Sequence, residues 1–119
     1  MKDIWNGSVV FFGTKNLKKT HEFYSGILGL KLYLDQKGCL IYDVNGGGMI
    51  GFCEHLERIQ VYKSPIITLV TEKVDEIYDL IVSKNFNPIT SPEKNEKYNI
   101  YHFFMKDPNG YTLEIQKFL

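Results

Sequence analysis

Three things are scarce in this chain: cysteine, net charge and long apolar runs. Only Cys39 and Cys53 occur in 119 residues, too few for the disulfide framework of a small secreted scaffold. Lys and Arg number 14 and Asp and Glu also 14, so the formal net charge is zero. That excludes broad binding to nucleic acid or to an acidic membrane surface, both of which need a basic excess. No run approaches the ~20 apolar residues of a membrane helix. The opening Met1-Lys2-Asp3-Ile4-Trp5-Asn6-Gly7 has no apolar signal core. The expectation is a protein of a reducing cytoplasm. What the chain does have is ring side chains, with eight Tyr and eight Phe. Some must fill a core, and a surplus is suited to lining a cavity for a flat or apolar ligand.

The length favours one domain, residues 1–119. Ser8 to Phe12 reads as a first strand, with Trp5 at its start. Asn16 can cap a helix whose apolar side is Leu17, Tyr24, Ile27 and Leu28, with Thr20 and His21 between them. Gly26 and Gly29 provide its end. Strands follow at Lys31–Leu34, Cys39–Val44 and Met49–Glu54, the last two joined by Asn45-Gly46-Gly47-Gly48, a strong hairpin signal. The polar stretch 55–65 reads as a linker between one module (about 5–54) and another (about 66–118). In the second, Ile66–Val70 is a strand and Thr71 a helix cap. Val74, Ile77, Tyr78 and Ile81 form the helix stripe. Asn87–Thr90 is a short strand, Ser91–Lys97 a polar loop, and Ile100–Lys106 and Tyr111–Phe118 are strands around Asp107-Pro108-Asn109-Gly110, whose residues suit a type I turn.

The order strand, helix, three strands therefore occurs twice. Sliding Val9 onto Ile66 also lays Phe12 on Leu69, Thr14 on Thr71, Leu17 on Val74 and Tyr24 on Ile81. The expected fold class is α+β: two βαβββ modules forming a curled, cup-shaped mixed sheet with helices on the outer face.

Three pieces together carry a family resemblance. They are Asn16-Leu17-Lys18-Lys19-Thr20-His21-Glu22-Phe23-Tyr24 with Leu28-Gly29-Leu30, the paired βαβββ order, and Asp107-Pro108-Asn109-Gly110-Tyr111-Thr112-Leu113-Glu114. In these the chain resembles the vicinal-oxygen-chelate superfamily of glyoxalases, bleomycin-resistance proteins and extradiol dioxygenases. The resemblance implies a cup that holds a divalent metal or a small ligand, and often a homodimer. Metal-using members place a histidine on the first strand of each module and a carboxylate on a last strand. Those histidine positions correspond to Val9 and Ile66, which cannot ligate. Glu114 keeps the closing carboxylate, and Glu54 corresponds to a further position. Two carboxylates alone make a weak, oxygen-rich site, so the expectation is no cofactor, with a divalent metal on Glu114 and Glu54 as the exception.

If the Asp107–Gly110 turn pairs Phe104 with Glu114, then His102 pairs with Gln116 and shares a face with Phe104 and Glu114. Diagonal neighbours lie roughly 7–8 Å apart, within side-chain reach. His102 and Glu114 then form a candidate acid–base unit, against the plainer reading of a structural histidine. Phe11, Phe52 and Phe104 are the ligand-lining candidates. Cys39 and Cys53 come opposite each other if Val44 pairs with Gly48. The simpler reading there is two small buried hydrophobes, the chemical one a soft-metal or redox thiol pair. The favoured function is a small-molecule binding protein of glyoxalase/bleomycin-resistance type with an aromatic-lined cup. The alternative is a metal-dependent lyase, isomerase or dioxygenase using Glu114 with Glu54 and His102.

Overall fold

The computed structural model describes residues 4–119; Met1 to Asp3 of the opening segment lie outside the described residues. The chain divides into two compact units, with the boundary between Ile59 and Gln60. In the first, β1 (Ser8–Gly13) leads to helix α1 (Leu17–His21), which widens into a π-helical turn over Glu22–Ile27. Then come β2 (Lys31–Asp35), β3 (Cys39–Asn45) and β4 (Gly48–Cys53). In the second, β5 (Ile66–Val70) is followed by α2 (Val74–Ser83), β6 (Glu93–Asn95), β7 (Ile100–Lys106) and β8 (Thr112–Phe118). The strand orders are β1-β4-β3-β2 and β5-β8-β7-β6. In each sheet the first and last strands of the unit run parallel and the others antiparallel. The duplicated order thus produces two mixed four-stranded sheets of identical topology in an α+β fold.

Local chemistry explains most boundaries. The Asn16 side chain accepts from Lys19 N at 2.9 Å and so caps α1. The π turn sets Leu28 N on Phe23 O, at 2.9 Å, and brings the adjacent Phe23 and Tyr24 both into the core, at 1% and 0% exposure. Gly29 then takes φ 74°, and Leu30 N closes back on Tyr24 O at 2.9 Å, the glycine-ended helix stop. Between β3 and β4, Asn45 pairs with Gly48 across Gly46 and Gly47, both at positive φ, as a two-residue hairpin of this hand requires. Val44 is the extra residue of a bulge, and beyond it the register sets Cys39 on Cys53.

Five expectations change. Trp5 precedes β1 and is 82% exposed. Thr71 is not the cap of α2; the cap position falls two residues later at Lys73, just before Val74, and the Thr71 hydroxyl accepts from Lys73 N in a local turn instead. Asn87–Thr90 is not a strand, because Ile89 N and Thr90 N both converge on Phe104 O while Phe104 N donates to the Thr90 side chain, so no ladder forms. The edge strand is β6, inside the stretch read as loop, with Glu93, Lys94 and Asn95 opposite His102, Tyr101 and Ile100. Finally, the second half of the linker is tied to the second unit: Gln60 accepts from Thr112 N and donates to Thr112 Oγ1.

Alternation divides each sheet into two faces. In the first unit, Phe12, Tyr42 and Phe52 pack with Tyr24 from the helical segment; Tyr24 and Phe52 ring centroids lie 4.7 Å apart. In the second unit, Phe103 meets Tyr78 of α2 at 5.2 Å, and Ile67, Met105, Leu113 and Ile115 are buried with it. The opposite faces carry the chemistry.

Candidate functional site

β7 and β8 pair Phe104 with Glu114 and His102 with Gln116. This register puts His102, Phe104, Glu114 and Gln116 on the face away from α2. β5 adds Thr68 directly opposite Glu114. The side chains then meet. His102 Nδ1 lies 2.6 Å from Glu114 Oε2, in a pair whose side chains are only about 10% exposed. Thr68 Oγ1 and Gln116 Nε2 each donate to Glu114 Oε1 at 2.8 Å. Glu114 is thus an acceptor for three donors, and its Oε2 fixes the imidazole with Nδ1–H directed at it. Among the described residues no buried side-chain nitrogen or oxygen lacks a partner.

This network borders a cleft of about 450 Å³. Its walls include Tyr62, Lys63, His102, Phe104, Lys106 and Thr112. Phe104 stands edge-on to His102, with ring centroids 5.1 Å apart. Lys63 Nζ lies 6.0 Å from the Phe104 centroid and 5.7 Å from that of Tyr62, within cation–π range. Lys106 donates to Thr112 Oγ1. The cleft therefore combines an aromatic wall, two ammonium groups, one imidazole and, at Glu93, one carboxylate. With Nδ1 committed to Glu114, His102 has Nε2 left for a ligand.

In the first unit, Phe11 lies on the face away from the helix, 45% exposed, with its ring over Gly51. A Cβ at Gly51 would stand 2.6 Å from the ring, so the glycine makes room for it. Phe52 has the opposite parity. It is fully buried among Phe12, Tyr24 and Tyr42 and has no surface to offer a ligand. Glu54 is exposed, immediately after β4. His21 Nδ1 is 2.9 Å from the Tyr42 hydroxyl and stacks on that ring, a structural role. Burial, and then the charge of Asp35, pushes that hydroxyl up to about 12.

Cys39 and Cys53 form a disulfide with Cα atoms 4.1 Å apart. The reading of two buried thiols is corrected: the pairing beyond the bulge sets them directly across from one another on neighbouring strands, where the two sulfurs bond.

A family profile described as the Glyoxalase/Bleomycin resistance protein/Dioxygenase superfamily matches residues 8–115. The chain belongs to this superfamily. Its fold is similar to that of an integron cassette protein from the mobile metagenome of a Halifax Harbour sewage outfall, at 25% identity and TM-score 0.75, covering 93% of this chain and 97% of that one. It is similar to a glyoxalase/bleomycin resistance protein/dioxygenase from Alicyclobacillus acidocaldarius, at 18% identity and TM-score 0.72 over 100% and 96% of the two chains. Lactoylglutathione lyase from Agrobacterium tumefaciens matches at 15% identity and TM-score 0.73 over 92% and 90%. The described residues contain no helix long and apolar enough to cross a membrane.

Superfamily members often use a divalent metal. The residues here do not fit that ion. Val9 and Ile66 supply no donor atom, and both oxygens of Glu114 are already engaged by Thr68, Gln116 and His102. The structure brings His102, Phe104 and Glu114 onto one face, as the sequence reading expected for this register. Sequence reasoning missed Thr68 and Gln116, which hold Glu114, and Lys63 and Tyr62, which come from the segment read as linker. The alternation of Ile66 and Thr68 was the available signal for Thr68; its partner required the parallel register.

Proposed function

We propose that this protein binds a small planar, acidic molecule in the cleft beside His102 and Glu114, as a binding protein of the glyoxalase/bleomycin-resistance type. The observation that carries this reading is the oriented imidazole: Glu114 holds Nδ1 at 2.6 Å while the ring stands in a cleft with Phe104, Lys63 and Lys106. The aromatic wall favours a ring, the ammonium groups favour an acidic substituent, and His102 Nε2 supplies a directional contact. Phe104 is the lining residue of this site; Phe11 lines the corresponding face of the first unit.

The arrangement also suits proton transfer, since an imidazole held at Nδ1 by a carboxylate presents its other nitrogen to a bound molecule. That is the enzyme reading: a lyase, isomerase or dioxygenase built on His102 and Glu114, with Glu54 as a further carboxylate. The full hydrogen-bonding of Glu114 weighs against its metal-dependent form. The reading as a whole places the protein in the cytoplasm and extends to a homodimer, the latter supported by apolar side chains exposed on the edge strand β1, where Val10 is 57% and Phe11 45% exposed.

The test is thermal melting with benzoate and indole-3-carboxylate, and separately with EDTA, Ni, Mn, Co, Zn and Fe(II). A ligand at 100 times its dissociation constant adds about 2.7 kcal/mol, several degrees for a domain of this size. An aromatic acid should raise the midpoint, and His102→Ala or Lys63→Ala should remove the shift. A shift with a metal alone, abolished by Glu114→Ala, would reject the binding reading for the metal enzyme. Sedimentation velocity decides the dimer.

A further inference from the structure

A second group of ligand-type side chains lies wholly in the first unit, apart from the His102 cleft. Cys39, at the start of β3, faces Cys53, at the end of β4. The chain turns immediately after Cys53, with Leu56 N directed at Cys53 O. This turn folds His55 back so that its Nδ1 lies 3.8 Å from Cys39 Sγ. The two sulfurs and an imidazole nitrogen all lie within 4.8 Å of one another, and among the described residues this is the group of three or more such side chains that comes together. The sulfurs are buried and the imidazole is exposed, so the cluster opens to solvent on one side. The register, not a flexible loop, holds the two cysteines together, so they remain neighbours when the covalent bond is broken.

We propose that Cys39, Cys53 and His55 form a redox-gated site for zinc(II), closed as the disulfide and opened by reduction. The electron balance is that of thiol–disulfide exchange. A thiolate of a dithiol reductant attacks one sulfur of the Cys39–Cys53 bond, and the mixed disulfide is resolved by the reductant's second thiol. The reductant leaves as its own disulfide, and the two cysteine sulfurs carry away two electrons and two protons as thiols. Zinc then displaces both thiol protons and takes two thiolates and the imidazole, with water in the fourth place. Zn–S bonds of about 2.3 Å in a tetrahedron need sulfurs roughly 3.8 Å apart, a separation that side-chain rotation on a directly facing strand pair can provide. Two sulfurs and one imidazole suit zinc or cobalt, not the hard cations that oxygen ligands select.

The experiment uses the full chain, reduced with a phosphine that is then removed under argon, and titrates it with cobalt(II). Reduced protein should take up one equivalent with the intense sulfur-to-cobalt charge-transfer absorption that only thiolate ligation gives, and zinc should bleach it. Untreated protein should show none. Cys53→Ser should abolish the band, and His55→Ala, which changes an exposed residue, should weaken cobalt binding at least about tenfold. Glu114→Ala should leave the band in place, which separates this site from the His102 cleft. No band in reduced protein, a band that survives Cys53→Ser, or unchanged affinity in His55→Ala would overturn the proposal. So would loss of the β-sheet circular dichroism on reduction, because the site exists only while β3 and β4 stay paired.

Discussion

The two units share a topology and differ in chemistry position by position. Their registers make Gly51 the counterpart of Glu114, Phe11 that of Thr68, Ile41 that of Phe104, and the pair Cys39–Cys53 that of His102–Gln116. On the face away from the helix, the first unit thus carries a glycine under a phenylalanine and a covalent link. The second carries a buried acid with three hydrogen-bond donors. On the helix face, the first unit packs Tyr24, Tyr42 and Phe52, where the second has Ile81, Met105 and Ile115. The backbone repeat is indifferent to these changes, because ladder hydrogen bonds involve no side chains. Each face could diverge freely, one toward cross-linking and one toward a polar site.

The largest expected effect separates these faces. Glu114→Ala leaves His102, Thr68 and Gln116 without their acceptor, and removing one partner of a buried pair costs about 3–5 kcal/mol. Urea unfolding monitored by circular dichroism checks it; a loss under about 1 kcal/mol would mean that the network is not held as described. The first unit should be indifferent to that change and sensitive to its own link. The disulfide closes a short loop, with a sequence separation of 14, so its reduction in metal-free buffer should cost about 3 kcal/mol, read by the same unfolding curve with and without reductant.

Alkaline pH tests the helix faces. Tyr42 has its hydroxyl pushed up to about 12, chiefly by burial, while its counterpart Met105 does not titrate. Below pH about 10 the hydroxyl is neutral folded and unfolded, so its contribution is whole. As pH rises from there, the unfolded chain ionises first and stability is lost until the folded value is passed, by at most about 2.7 kcal/mol. The slope between pH 10 and 12 should be shallower in Tyr42→Phe, and an unchanged slope would assign the loss to other groups. The smallest contrast is at the helix starts. Asn16→Ala should cost about 1 kcal/mol, because Asn16 caps α1. Thr71→Ala should cost less, since Thr71 lies two residues before the cap position of α2. Equal losses in thermal melts would erase that distinction.

Much of this was readable in the sequence because it is local. Period-2 and period-3.6 patterns marked seven of the eight strands and both helices, and Asn16, Gly29 and the Gly46–Gly47 turn act through their own backbone neighbours. The missed strand β6, Glu93–Asn95, has no apolar alternation. It is a strand because β7 offers it an edge. The antiparallel site pair was legible as one of two registers of the Asp107–Gly110 turn; the one that pairs Phe104 with Glu114 is the one formed, and with it His102 meets Glu114. Phe52 was misread because its parity depends on which strand side faces the helix.

The sequence by itself determined the βαβββ repeat, the superfamily it resembles and the absence of donors at Val9 and Ile66, and it offered the face shared by His102, Phe104 and Glu114 on condition of one register, which the β7–β8 pairing supplies. Tertiary structure decided that Thr68 holds Glu114, that Lys63 stands over Phe104, and that a bulge at Val44 sets Cys39 against Cys53 with His55 folded back. The first set depends on contacts a few residues apart along one strand, turn or helix. The second depends on parallel register, a one-residue bulge and the path of a linker, where a shift of one position turns every side chain to the other face.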